Sequence, residues 1–358
     1  MGKLKIGCVG LRRGRDLLTN VLLMKDVEIR AICDMDEDRR NSAKEFFEKE
    51  KKVENLLVFD NFEDLLNSDV EAIIIATEAS AHVRMSVQAL DAGKHVLSEI
   101  PAINTVEEAK TIRAAVNRHP NLKYMVGENC CYWAFIHTWK TMYENGMLGD
   151  VWHAEAEYLH NVVHLMRDKD GNPTWRASYD AIKYLTHDLG PLLYILDDRC
   201  TSVSGYAPKI NPIAEYSTGT PNELAVFTTA KGATIKIFCS FGITQEPARH
   251  NFIMYGSKGT IETARMGEER CYAYLKDIPH TKGPIEIPVS SSYPDASSEI
   301  LGGHGGGDYF MVKAFVDCIL KDEKPPIDVD LGIRISIPGI FAHESAMKGG
   351  IPVKIEEI

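Results

Sequence analysis

The run Ala-Ile-Ile-Ile-Ala at residues 72–76 sets the tightest limit on how this chain folds. Five consecutive apolar residues leave no polar face. A strand made of them must be covered on both sides, as in a parallel sheet clothed by helices. The neighbouring segments agree. Short apolar strands are expected at residues 5–9, 27–33, 56–59, 95–97 and 123–126, with helices at 36–51, 81–92 and 105–117. Such alternation specifies a doubly wound α/β domain, read here as residues 1–127.

The pattern changes after Gly127, where a second, α+β domain is expected over residues 128–358. A helix is expected at 133–144. Residues 152–159 (WHAEAEYL) then alternate as a strand with one covered face. A helix at 179–196 precedes several strands with glycine turn signals over 202–289. Together these predict an open, mostly antiparallel sheet with helices on one face. The glycine-rich loop GGHGGG at 302–307 leads into a helix at 309–320. With 358 residues the chain exceeds one ordinary core, in keeping with two domains.

A net charge of −11 argues against a nucleic-acid partner, whose phosphates require basic surface. The first residues carry too short an apolar run for a secretory signal, and no stretch approaches membrane-spanning length. The eight cysteines are scattered without CxxC spacing. They read as reduced thiols of a cytoplasmic protein, with no metal site expected.

Strand one ends in VGLRRGRD. Gly10 and Gly14 suit the turn from strand to helix that receives a pyrophosphate, although the spacing is not GxGxxG. Arg12 and Arg15 offer charged hydrogen bonds to phosphate oxygens. Asp34, at the end of strand two, stands where a carboxylate accepts from ribose hydroxyls and repels a 2′-phosphate. This favours NAD over NADP, with Arg39 and Arg40 leaving NADP open.

The segment IIIATEASAHVRMSVQALDAGKHVLSEIPAINTVEEAKTI resembles the Gfo/Idh/MocA oxidoreductase family. Thr77 and His82 keep that family's Thr-to-His spacing, Ala89-Leu90 and Gly93-Lys94-His95-Val96 keep its middle, and Glu99 and Pro101 flank its Glu-Lys-Pro. The motifs GxLGDVWHAEAEY and GSKGTIE extend the likeness along the chain. The resemblance implies a Rossmann domain, a nicotinamide cofactor with Thr77, His82, Glu99, Pro101 and Asn129 around it, and a homodimer or larger assembly through the C-terminal sheet. One departure matters. The family's lysine is Ile100 here, and an isoleucine cannot move a proton. A branch that includes NAD-dependent glycosidases also lacks it. Their Glu-Val-Pro-Ala and Tyr-Pro-Thr-His-Gly-Leu-Gly-Pro correspond to Glu99-Ile100-Pro101-Ala102 and Tyr184-Leu185-Thr186-His187-Asp188-Leu189-Gly190-Pro191.

In YDAIKYLTHDLGP, helical spacing sets Lys183 and Tyr184 beside His187. Removing hydride from a secondary alcohol requires a base for the hydroxyl proton, and imidazole titrates in the right range. His187 is the expected base, with Lys183 polarising the same hydroxyl; Tyr184 and Glu99 complete the expected catalytic set. Tyr132, His160, Asn161, Trp175, Arg176 and His304 are expected to bind a hydroxyl-rich substrate, with an aromatic face for the apolar side of a ring. The preferred expectation is an NAD-dependent dehydrogenase that oxidises a sugar or glycoside ring hydroxyl, at C3. The alternative is a redox-neutral glycosidase, in which C3 oxidation acidifies the C2 hydrogen and elimination expels the aglycone. A non-catalytic NAD-binding sensor is the third reading.

Overall fold

A computed structural model describes residues 2–358 except 266–268, 279–282, 294 and 303. Parts of the expected 202–289 sheet region, and Gly303 of the glycine-rich loop, therefore lie outside the described residues. The chain divides into two compact units, residues 1–129 with 296–333, and residues 130–295 with 334–358.

In the first unit six strands, β1 (Leu4–Val9), β2 (Val27–Cys33), β3 (Leu57–Phe59), β4 (Ala72–Ile75), β5 (His95–Glu99) and β6 (Tyr124–Gly127), form a parallel sheet in the order β3-β2-β1-β4-β5-β6. Every residue of β4 is buried, as the unbroken apolar run requires. The connections are α1 (Gly14–Val21), α2 (Glu37–Glu45), α3 (Phe62–Asn67), α4 (His82–Asp91) and α5 (Val106–Arg118). Side-chain caps set several starts. Asp36 accepts from Arg39 N, Asn61 from Asp64 N and Thr105 from Glu108 N, each satisfying an amide that the first helical turn leaves without a partner. Strand order reverses between β1 and β4, so the carboxyl ends of these strands open a crevice of the kind that receives nucleotides.

The sequence reading put everything after residue 127 in the second domain. In the structure, residues 296–333 pack within the first unit. The returning helix α9 (Gly307–Leu320), preceded by α8 (Ser298–Leu301), packs on α1, β5 and β6. Val126 N donates to Ile327 O at 2.9 Å. An apolar helix near the chain end carries no local mark of the sheet it covers.

The second unit holds a nine-stranded sheet. Its strands are β7 (Val151–Leu159), β8 (Cys200–Tyr206), β9 (Asn222–Thr229), β10 (Thr234–Ser240), β11 (Arg249–Gly256), β12 (Gly259–Thr263), β13 (Cys271–Leu275), β14 (Ile285–Ile287) and β15 (Val353–Lys354). They run in the order β14-β13-β12-β11-β7-β10-β9-β8-β15. Within this sheet, only β7 and β10 pair parallel among the described strands. Burial alternates along β9 and β10, leaving one covered face. The helices α6 (Ala134–Glu144) and α7 (Thr186–Leu196) pack on each other, and α7 also packs on β7. The last helix, α10 (Val329–Met347), contains the division at residue 333.

The helix expected at 179–196 is shorter. A single 3₁₀ turn spans Ala181–Tyr184, and α7 begins at Thr186. The reason lies in competing partners. Ala181 N donates to Thr220 O at 2.9 Å, and Ile182 N to the Glu223 carboxylate at 3.2 Å. Amides bound to a neighbouring segment are lost to helical bonding. Among the described residues no helix is long and apolar enough to cross a membrane. All eight cysteines are buried, and none is in a disulfide.

Candidate active site

In the first unit the turn after β1 has the geometry of a nucleotide cradle. Gly10 sits at φ +89°, and a Cβ there would lie 2.4 Å from Ala76 O. A Cβ on Gly14 would meet Cys8 Sγ at 2.3 Å, so α1 packs closely on β1 only with glycine. Asp34 is buried, its Oδ2 accepting from Leu11 N at 2.8 Å and its Oδ1 from Asp36 N at 3.0 Å. Each carboxylate oxygen has two acceptor positions, leaving capacity for ribose hydroxyls. Arg40 donates to Asp34 O at 2.6 Å, and Arg39 approaches the Asp34 and Asp36 carboxylates at 3.9 and 3.5 Å. Of the expected phosphate-binding arginines, Arg12 is exposed and Arg15 lies over the Phe46 ring at 5.5 Å.

The residue between them, Arg13, was not singled out from sequence. Its Nε donates to Glu99 Oε1 at 2.9 Å, and its terminal nitrogens grip both oxygens of Asp308 at 2.8 and 2.6 Å. Glu99 Oε2 accepts from Ile100 N at 2.9 Å. Asp308, at the start of α9, also accepts from Asn129 Nδ2 at 2.8 Å and lies 3.1 Å from His304 Nδ1. Desolvation opposes charge on this buried aspartate, but hydrogen bonds from His304 and Arg13 outweigh it and hold its carboxyl far below the usual range. Glu99, Asn129 and His304, expected in separate roles, thus meet on one Arg13–Asp308 pair.

His82 corrects an expectation. It is fully buried, with Nδ1 2.9 Å from Pro101 O and Nε2 3.2 Å from Thr77 O. Both ring nitrogens face main-chain carbonyls, so the ring ties the turn after β4 to the turn after β5 and has no nitrogen for a ligand. Burial pushes its pKa down. Thr77 Oγ1 lies 3.5 Å from Met85 Sδ. Ile100, in place of the family's lysine, is buried.

In the second unit His187 stands at the centre of an aromatic box. Tyr158 stacks on it at 5.9 Å and 12°, while Tyr184 at 5.2 Å and His250 at 5.8 Å meet it edge-on. Its Nδ1 lies 3.1 Å from Cys130 Sγ. The β7–β11 register sets His250 opposite Tyr158, and Asp188 fixes that second imidazole by an Oδ1 contact of 3.0 Å to His250 Nδ1. Arg176 lies 4.4 Å from the Trp175 ring and 5.1 Å from the Tyr184 ring, donating to the Tyr184 hydroxyl at 3.4 Å. Tyr158 OH meets His160 Nδ1 at 3.0 Å. His160 and Asn161, with Val163, His164 and Glu246, line a depression of about 400 Å³. His187, Tyr184, Trp175, Arg176 and His160 therefore belong to one connected cluster. Tyr132 is buried with its ring edge-on to His137 and its carbonyl accepting from Tyr293 OH.

Lys183 departs from its expected place. The 3₁₀ turn replaces the helical i,i+4 geometry, and Lys183 Nζ pairs with Asp180 at 2.9 Å. Asp180 also meets His343 Nε2 at 3.3 Å, and His343 Nδ1 lies 2.8 Å from the buried Glu223. This network anchors the turn that carries Tyr184. Tyr158, Cys130, Asp188 and His250 were missed as site residues from sequence. Tyr158 alone had a usable signal, as an inward position of the alternating strand.

Models of three domains match the chain: the NAD-binding Rossmann fold of the Gfo/Idh/MocA oxidoreductase family over residues 4–128, that family's C-terminal domain over 136–262, and the glycosyl hydrolase 109 C-terminal domain over 285–358. The chain belongs to the Gfo/Idh/MocA oxidoreductase family. A glycosyl hydrolase family 109 protein of Solibacter usitatus is 28% identical, over 99% of this chain and 88% of the relative. An alpha-N-acetylgalactosaminidase of Shewanella oneidensis is 26% identical, over 96% and 83%. The fold is similar to that of scyllo-inositol dehydrogenase from Lactobacillus casei, solved with NAD(H) and scyllo-inositol, with a TM-score of 0.78 at 20% identity over 98% of this chain and 99% of that one.

The His160 environment yields a pH prediction. Burial first, then the charges of His250, His164, His187 and Arg176, push its pKa from 6.5 to about 4. The folded state keeps this imidazole neutral, whereas the unfolded chain takes up the proton. Its contribution is complete above the unfolded value and is lost as pH falls from about 6.5 towards 4. Urea unfolding midpoints should therefore fall across that window, and His160→Gln should remove part of the fall. An unchanged acid dependence in that variant would contradict the assignment.

Proposed function

We propose that this protein is an NAD-dependent glycosidase acting by transient oxidation of a sugar ring hydroxyl, at C3, followed by elimination of the aglycone. The observation that carries the reading is the match of residues 285–358 to the glycosyl hydrolase 109 C-terminal domain, on a chain that a glycosyl hydrolase family 109 protein matches over 99% of its length. It favours the glycosidase over the simple dehydrogenase expected first from sequence. The Tyr184–His187 motif and the aromatic cluster around it add support.

The residues of the first unit fit a dinucleotide. Gly10 and Gly14 permit close approach of backbone, Asp34 would hold the adenosine ribose and disfavour a 2′-phosphate, and Glu99, fixed by Arg13, would hold the ribose nearest the reacting ring. NAD is therefore the cofactor of this reading, and when bound it accepts a hydride and gives it back.

The proton chemistry falls to the second unit. His187, held in its aromatic box, is the base that takes the substrate hydroxyl proton. A ketone at C3 makes the C2 hydrogen acidic. The Tyr184 hydroxyl, hydrogen-bonded by Arg176, is the second proton-carrying group of the cluster. Trp175 offers an aromatic face to a ring, and the His160–Asn161 depression holds polar groups of the substrate. Lys183 is assigned to holding the 3₁₀ turn.

A dehydrogenase remains the second reading, favoured by the fold likeness to scyllo-inositol dehydrogenase and by Asp188 where the glycosidases have glycine. Aryl glycosides with NAD should release aglycone without net NADH. NADH accumulating without aglycone would establish the dehydrogenase instead. His187→Asn should lower turnover by about 10²–10⁴-fold while NAD binding is retained. Turnover unaffected by that change would remove His187 from the chemistry.

Buried cysteines outside any disulfide support a reducing, cytoplasmic setting for the protein. We also propose a homo-oligomer formed through the open sheet face. Trp152, 57% exposed, and Tyr255 lie 5.5 Å apart there, with Tyr274 exposed two strands beyond. Light scattering should report a dimer or larger species that Trp152→Glu shifts towards monomer; a monomeric wild type would contradict it.

A further inference from the structure

Glu99 and Asp308 share one arginine, but the acceptor positions left on each differ. A carboxylate offers about four lone-pair sites, two to each oxygen. Asp308 Oδ1 accepts from Arg13 Nη2 at 2.6 Å and from Asn129 Nδ2 at 2.8 Å. Its Oδ2 accepts from Arg13 Nη1 at 2.8 Å and faces His304 Nδ1 at 3.1 Å. Both oxygens are filled, and the side chain is 1% exposed. Asp308 has no capacity for a ligand. Among the described residues, Glu99 Oε1 accepts from Arg13 Nε at 2.9 Å and Oε2 from Ile100 N at 2.9 Å. One position remains on each oxygen, on a side chain 12% exposed. Two adjacent open acceptors suit a vicinal diol such as that of a ribose. The guanidinium connects the two carboxylates. Its N–H groups lie in one rigid plane. A single bond from Nε to Glu99 would let that plane turn on a flexible side chain. The two-point grip of Asp308 fixes the plane, and the direction of Nε follows from it.

We propose that Asp308 is a positioning residue for the nicotinamide-side ribose of NAD: acting through Arg13, it fixes Glu99 so that the two open acceptor positions meet the ribose diol. The role rests on the reading of Glu99 as the holder of that ribose. Asp308 and Arg13 themselves do not touch the cofactor. The two halves of the dinucleotide then answer to separate groups. Asp34 is held by Leu11 N and Asp36 N, and among the described residues it shares no partner with Arg13. The grip of Asp308 therefore governs the nicotinamide half and leaves the adenosine half alone.

The test uses the full-length protein without any sugar and measures binding of ADP, ADP-ribose and NAD by calorimetry. ADP carries the adenosine half and the pyrophosphate, and ADP-ribose adds the second ribose. Asp308→Asn should weaken ADP-ribose and NAD by about tenfold, the scale of one lost bond to a charged group, and leave ADP within about twofold. Arg13→Lys, which lacks the planar fork, should reproduce the pattern, and the double variant should bind no worse than the weaker single one. Equal weakening of all three ligands would reduce Asp308 to packing and overturn the proposal. So would unchanged or tighter NAD binding in Asp308→Asn, the result expected if a released Arg13 served the pyrophosphate directly. If Asp308→Asn does not fold, His304→Gly carries the test, since glycine suits the φ of +50° at that position. The same ligand pattern should appear there at a smaller factor, and an unmoved ADP-ribose affinity would overturn the proposal. Glu99→Gln separates the two levels. If ADP-ribose binding is indifferent to it, the reading of Glu99 falls and the role of Asp308 with it. If Glu99→Gln weakens ADP-ribose and Asp308→Asn does not, only the role of Asp308 falls.

Discussion

Two carboxylates, Glu99 and Asp308, lie buried or nearly so in the first unit, and one guanidinium, Arg13, answers both. Taking such groups out of water costs several kcal/mol each unless a well-placed cation and further hydrogen bonds compensate. Arg13 meets the requirement with three short bonds, two of them a bidentate grip on Asp308. The arrangement joins the turn after β1, the end of β5 and the start of α9. These segments are far apart in sequence, yet all bear on the nucleotide cradle. Holding Glu99 at the carboxyl edge of the sheet and fixing the returning helix are one electrostatic problem with one solution. Asn129 and His304 add hydrogen bonds to the same aspartate instead of acting independently.

The second unit meets a different constraint. Its site depends on a turn that the backbone does not make by helical bonding alone. Strand-side partners take the amides of Ala181 and Ile182, and the Lys183–Asp180–His343–Glu223 network fastens the turn from below. Burial raises the Glu223 pKa, and the hydrogen bond and charge of His343 pull the other way. Tyr184 closes the turn, and His187 follows one residue into α7. The parallel pairing of β7 with β10 and the antiparallel pairing of β7 with β11 then deliver Tyr158 and His250 to the same ring. Ring packing by Tyr158, Tyr184 and His250 fixes the position of the His187 imidazole.

Much of this was legible in the chain. The apolar run at 72–76 specified a covered parallel strand, and WHAEAEYL announced a strand with one buried face. Gly10, Asp34, Glu99 and the Tyr184–His187 motif were read from position and type. What escaped depends on tertiary partners. Three arginines crowd the RRGR turn, and nothing local distinguishes Arg13 from its neighbours; its partner Asp308 is 295 residues away. His82 has the composition of a ligand-binding histidine and the environment of a structural tie. Lys183 looked catalytic under helical spacing, which the competing amide bonds at residues 181 and 182 removed. His250 becomes visible only when the strand register is known.

The central claim is that bond cleavage proceeds through a keto sugar whose C2 hydrogen is lost and replaced from solvent. Turnover of an aryl glycoside in heavy water with NAD, followed by NMR of the sugar product, tests it directly. The account predicts deuterium at C2 of the released sugar and no net reduction of NAD. A product with its original hydrogen at C2 would show that cleavage occurs without elimination and would contradict the account.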